Sequence, residues 1–291
     1  MIGQSIWVWA WDPTILIGLA LWTAGYILFI HRAAHLKGRD CPVNRPRQIA
    51  FHLGTLVAFF ALVSPLDHLA DNFLLSAHMV QHLLLILVAP PLWLLGLPQT
   101  LFDSIDFNHL IRSAIRWVTR PPVAYLIFNG TFLIWHIPTL YDAALMHPLV
   151  HVAEHLCFIA AAIIGWWPVL GFLPKLAPRP IYPYQMLYCF ALMIPSVALA
   201  VVLTFSRNPI YTFYLRAPAV VGSIALPAFA NGPHLWGLSV LDDQQLAGVI
   251  MWIPGNLVYF IAFMTVFINW FRASEREDRE QIIREENSAL S

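Results

Sequence analysis

The chain has 291 residues, of which 59% are hydrophobic and only 11% charged, and its mean hydropathy is +0.67. Soluble domains carry about a quarter charged residues, so this composition excludes an ordinary soluble protein. The 16 Lys and Arg balance the 16 Asp and Glu, so net charge selects no partner. The basic residues form no aromatic-interleaved stripe for nucleic acid. The cysteines Cys41, Cys157 and Cys189 make no close pair, which argues against a disulfide scaffold or a dithiolate metal carrier.

A bilayer core is crossed by about 17–25 mainly apolar residues. Seven windows qualify: 13–31, 49–66, 77–96, 122–138, 149–171, 184–205 and 246–270. The first follows a stretch, Met1 to Trp11, without the basic region of a cleavable signal peptide, and reads as a retained span. Pro90, Pro91, Pro168, Pro195 and Pro254 fall inside windows. Membrane helices tolerate them where neighbours take up the freed carbonyls. The expected fold is all-α, a polytopic integral membrane protein of seven transmembrane helices. Residues 1–275 form one membrane domain, and 276–291 a short charged tail.

Orientation follows from Lys and Arg, which gather on the cytoplasmic side. The first loop holds Arg32, Lys37, Arg39, Arg45 and Arg47; the third Arg112, Arg116 and Arg120; the fifth Lys175 and Arg179. The tail adds Arg272, Arg276, Arg279 and Arg284, leaving only Arg207 and Arg216 opposite. The N-terminus is therefore expected outside and the C-terminus in the cytoplasm. The stretch 217–232, APAVVGSIALPAFANG, is apolar but short and broken by Gly and Pro, and reads as re-entrant or interfacial.

With that topology eight of the twelve histidines collect near the outer ends: His68, His78, His82, His136, His147, His151, His155 and His234. Side chains four apart on a helix project to the same side, roughly 6 Å apart. His78 and His82 thus pair on the third helix, while His147, His151 and His155 form a stripe on the fifth. Four imidazoles, His78, His82, His151 and His155, converge if those faces meet. Neutral imidazole suits copper and zinc. Glu154 is placed to orient a ligand rather than to bind as a sure ligand itself. Met79, Met146 and Met251 lie at similar depth and offer soft thioethers for Cu(I). A single histidine near a membrane interface is more often a packing residue, which is the plainer reading of His68, His136 or His234 taken alone. Two paired sets at one depth are harder to explain that way, because polar groups in lipid are costly and often functional. Cys157 lies off the stripe and reads as core. The Trp7, Trp9, Trp11 group and Trp166, Trp167 fit interfacial belts.

HMVQHLLLILVAPPLWLLG (78–96), WHIPTLYDAAL (135–145), HVAEHLCF (151–158) and DQQLAGVIMWIPG (243–255), in this order, resemble the multi-spanning CtaG family of haem–copper (cytochrome c) oxidase assembly factors, over roughly residues 10–270. The resemblance implies a protein of the bacterial inner membrane needed to build an active oxidase, with copper delivery as the route. Its histidines correspond to His78, His82, His151 and His155, with His136 from WHIP. The leading expectation is a non-enzymatic assembly factor that holds copper as Cu(I) at the outer, periplasmic face. His147, Glu154, His136 and Met251 stand as supports, and the metal passes to an oxidase subunit or a periplasmic copper chaperone. Three alternatives stay open. The same histidines would serve a membrane haem b protein, or the chain is a metal-free scaffold for oxidase subunits. HVAEH also matches the short H-x-x-E-H pattern of zinc hydrolases, although a protease needs a third ligand and room for its substrate.

Overall fold

The computed structural model describes residues 7–37, 44–97, 108–171, 178–216, 220–221, 224–225 and 235–289. Eleven helices organise them. They are α1 (Pro13–Lys37), α2 (Arg45–Val63), α3 (Pro65–Asn72), α4 (Leu75–Gly96), α5 (His109–Val118), α6 (Pro121–Trp135), α7 (Pro138–Met146), α8 (Pro148–Leu170), α9 (Tyr182–Phe205), α10 (Phe213–Arg216) and α11 (Val240–Ser288). Six of them are long and apolar enough to cross a membrane: α1, α2, α4, α8, α9 and α11. A seventh crossing is made if α6 and α7 count together.

That pair departs from the straight fourth span expected over 122–138. α6 stops at Trp135, and α7 leaves it at 71°. Pro138 supplies the reason: it disfavours helical geometry at Ile137, which is extended at φ −63° and ψ 125°. The acidic stretch SPLDHLADN, leading from the second window toward the third, is helix α3, with Ser64 as N-cap and Pro65 in the first turn. α11 runs unbroken for 49 residues, far past the window at 246–270. Of the apolar stretch 217–232, Val220–Val221 pairs antiparallel with Ile224–Ala225. The rest of that stretch, His234, Cys41 and Lys175 lie outside the described residues.

Prolines shape α4 and α11. Pro90 has no N–H for the Ile86 carbonyl, and the helix widens into a π-turn over Leu84–Val88. The freed Ile86 oxygen accepts from the Trp166 indole of α8 at 3.0 Å. α11 carries a second π-turn, Met251–Gly255, around Pro254.

Between helices in lipid, close packing replaces the hydrophobic drive. α2 lies along α4 so closely that a Cβ on Gly96 would sit 2.6 Å from Phe51 Cβ and 2.8 Å from its backbone nitrogen. α1 attaches through Tyr26, which stacks on Phe51 at 3.6 Å between ring centroids and donates to the Gly96 carbonyl at 3.0 Å. At the other side a Cβ on Gly248 of α11 would meet Thr204 Oγ1, Thr204 N at 2.8 Å and the Ala200 carbonyl at 2.9 Å. Two of those atoms are backbone, so Gly248→Ala is expected to cost about 1–3 kcal/mol through overpacking. Thermal unfolding in detergent checks it; an unchanged midpoint would show that α9 and α11 have room to part.

Cys157, read as core, is exposed, whereas Cys189 is buried. The reason is rotational. The histidine stripe of α8 faces inward, so the residue on the opposite side of the helix faces out.

Candidate metal centre

One end of the bundle is built around the start of α4. That helix begins after Leu74, which has no side chain able to cap it. The first N–H groups of a helix need acceptors, and Asp243 of α11 provides them. It takes the Leu75 N–H at 2.6 Å, the Ser76 N–H at 3.3 Å and the Ser76 hydroxyl, and is only 3% exposed. A cap from 167 residues away thus fixes the turn that carries His78. α7 is tied down in a similar way, since Asp142 accepts from Thr212 N and Oγ1 and from Phe213 N at the start of α10.

From that fixed turn His78 and His82 project inward, 0% and 3% exposed, with ring centroids 4.1 Å apart. α8 presents His151, Glu154 and His155 to them. His78 lies 5.7 Å from His151 and His82 5.5 Å from His155, centroid to centroid, and His151 is 4.3 Å from His155. The third and fifth predicted spans therefore do bring their histidines together. Glu154 is 1% exposed, with Oε1 4.0 Å from His82 Nε2. Asp71 of α3 comes in from the side, its Oδ2 3.6 Å from His151 Nδ1. Both separations are too long for a hydrogen bond. They suit two ligands of one ion, since bonds of about 2 Å leave donor atoms up to roughly 4 Å apart.

Two trios result, sharing His78. Asp71, His78 and His151 form one, and His78, His82 and Glu154 the other; in each, single ligand atoms lie within 4.8 Å of one another. Among the described residues neither ring nitrogen of His78 or of His82 has a hydrogen-bond partner, nor do Nε2 of His151, Nε2 of His155 and Oε2 of Glu154. Buried polar atoms are nearly always paired, so this concentration of lone donors at one spot requires an explanation. The donor set of imidazole and carboxylate fits a first-row transition metal.

His136 sits where α6 breaks. Its Nδ1 is 2.7 Å from the Phe132 carbonyl, which only an N–H can satisfy, so Nε2 carries the lone pair. That Nε2 is buried with no hydrogen-bond partner among the described residues, and a backbone bond at the far nitrogen is how metal-binding imidazoles are commonly oriented. His147 is exposed at the N-cap of α8, one turn above His151. Met79 and Met251 are buried at 1% and 2%, while Met146 is 59% exposed.

A family model described as cytochrome c oxidase caa3 assembly factor matches residues 24–273. The chain belongs to that family. Uncharacterized proteins of Mycobacterium bovis and Mycobacterium tuberculosis are each 26% identical to it over 312 residues, covering 100% of this chain and 43% of theirs. One of Mycobacterium leprae is 23% identical over 300 residues, covering 98% of this chain and 42% of its own. The chain thus spans less than half the length of these relatives. No solved structure matches.

In this member of the caa3 assembly-factor family, a multi-pass membrane protein, His78, His82, His151, His155 and Glu154 lie together, and Asp71 is the one that sequence reasoning passed over. Its signal was present. Asp67 and Asp71 are four apart in SPLDHLADN, so once that stretch is a helix they share a face. Asp67 turns toward α4 and accepts from Gln81 Nε2 at 2.7 Å. Burial raises Asp67 from the usual carboxylate range to about 7, the Gln81 bond opposing and Asp12 adding to the shift. Asp71 is raised too, by burial first and then by the Asp67 and Glu154 charges.

The sign for Asp67 is that of a carboxyl held more easily protonated in the fold than in the unfolded chain. Its contribution is whole below about pH 4 and is lost as pH rises through about 7. Asp67→Asn keeps an oxygen for Gln81 and removes the charge. It is expected to gain on the order of 1–2 kcal/mol over wild type between pH 5 and pH 8, allowing for partial exposure. Thermal midpoints of both proteins across that range would check it; a constant difference would refute the assignment.

Proposed function

We propose that this caa3 assembly factor supports the building of cytochrome c oxidase by holding copper, as Cu(I), and passing it to an oxidase subunit or a soluble copper chaperone. His78, His82, His151 and His155 are the ligands, Glu154 and Asp71 lie against them, and His147 stands at the surface above. The observation that supports this most is the set of buried imidazole nitrogens with no hydrogen-bond partner among the described residues. The side toward Asp71, 30% exposed, and His151, 14% exposed, gives a metal a way in and out, which delivery demands.

Orientation supports the same reading. Arg47 and Arg179 bind carbonyls at the end away from the histidines, at Leu97 and at Leu170 and Gly171. By the positive-inside rule that end faces the cytoplasm of a bacterial inner membrane and the histidines face the periplasm. The close ring packing, 4.1–5.7 Å between centroids, favours a compact ion over a haem slotted between helices. Glu154, almost wholly buried, has no access for a polypeptide, which disfavours the hydrolase.

The test is the metal content and optical spectrum of the protein purified anaerobically with reductant. About one or more coppers per chain is the expected result. A colourless, metal-free protein that cannot be loaded with Cu(I) would reject the proposal in favour of a scaffold, and a Soret band would reject it in favour of haem.

A further inference from the structure

Next to the histidine cluster is a cavity of about 30 Å³ lined by Met79, His82, His136 and Met251 together with Asn129, Ser196, Tyr259 and apolar side chains. That is room for about one water-sized particle. Its chemistry differs from that of the two trios. Those offer imidazole and carboxylate; the cavity is lined by two methionines, by His82 and by His136, whose buried Nε2 has no hydrogen-bond partner among the described residues. Thioether sulfur is a soft ligand that selects Cu(I), while carboxylate oxygen suits harder ions.

The backbone at the cavity is also irregular. Met251 opens the π-turn of α11, and Leu83, Ile86 and Leu87 of the lining lie at or within that of α4. A Cβ on Gly255 would come within 3.2 Å of Leu83 Cδ2, so the two π-turns are held close together. Single-turn π-bulges occur frequently at functional sites.

We infer that this cavity is a second, sulfur-containing Cu(I) subsite formed by Met79, Met251 and His136, with His82 between it and the outer histidines. The inference rests on the copper reading above. His82 is 4.0 Å from Glu154 on one side and lines the cavity on the other. An ion can therefore exchange carboxylate and imidazole partners for thioethers without leaving His82. The outer trios receive the metal and the inner subsite retains the reduced ion.

X-ray absorption on the purified full chain titrated with Cu(I) alone, under reductant, reads the ligand atoms directly. Wild type is expected to take up about two Cu(I) per chain, with sulfur scattering from the second. Met79→Leu/Met251→Leu, a swap that nearly conserves volume, is expected to take up about one, with nitrogen and oxygen scattering only. Should the double variant fail to purify, each single Leu variant serves, with the sulfur signal reduced. Wild-type copper with only nitrogen and oxygen neighbours would overturn the subsite and leave the outer site standing. Sulfur scattering undiminished in the Leu variants would also overturn it, by placing the sulfur elsewhere. Failure of wild type to bind Cu(I) at all would instead bring down the copper reading itself.

Discussion

Replacing His78 and His82 together by Ala is expected to lower bound copper at least tenfold while leaving a folded, monodisperse protein. His78 belongs to both trios, and His82 joins the outer site to the inner cavity. The double change therefore removes a ligand from both outer trios and the residue that links them to the inner cavity. Retention of the fold follows from the same observation that marks the site. None of the four ring nitrogens has a hydrogen-bond partner among the described residues, so their removal forfeits mainly packing. Metal analysis alongside circular dichroism separates the two effects. Copper content unchanged in a folded variant would return both histidines to helix packing. Loss of copper together with loss of fold would call for the larger, apolar His78→Phe change as the control.

The second large effect is expected at Asp243, which holds no metal. Asp243→Ala leaves the Leu75 and Ser76 N–H groups buried without an acceptor and is expected to cost about 2–4 kcal/mol. The damage is local in origin, because the carboxylate caps the turn of α4 that ends at His78. Hydrogen exchange should show that turn opening first, with copper affinity falling in step. Asp243→Asn retains an acceptor and should lie between wild type and Ala. If exchange at Leu75 and Ser76 is unaffected in the Ala variant, the cap is not what holds α4.

The sequence carries the histidine pairs because helical spacing alone aligns His78 with His82 and His151 with His155. It carries the spans because a bilayer demands length and apolarity. The fourth shows the limit of that reasoning: hydropathy runs on through Trp135, and only the geometry forced by Pro138 divides α6 from α7. Asp71 was hidden for a related reason, since SPLDHLADN looks like a polar loop until Ser64 and Pro65 start a helix there. Asp243 was hidden more deeply. Its motif LDDQQLAG reads as the beginning of one helix, and its partners are the first residues of another, 167 and 168 positions away in the chain. No local pattern encodes such a pairing. The cavity lies in the same class, because Met79 and Met251 meet only through the packing of α4 on α11.

The length of α11 has a mechanical consequence. At about 1.5 Å per residue its 49 residues extend roughly 70 Å, against a hydrocarbon core of about 30 Å. Its last stretch, Arg272 to Ser288, is rich in Arg and Glu, largely exposed, and extends roughly 25 Å beyond the apolar part. The same rod begins at the carboxylate that caps α4. Anything that grips the distal arm therefore pulls, along one helix, on the turn that presents His78, with the π-turn at Met251–Gly255 lying on the path.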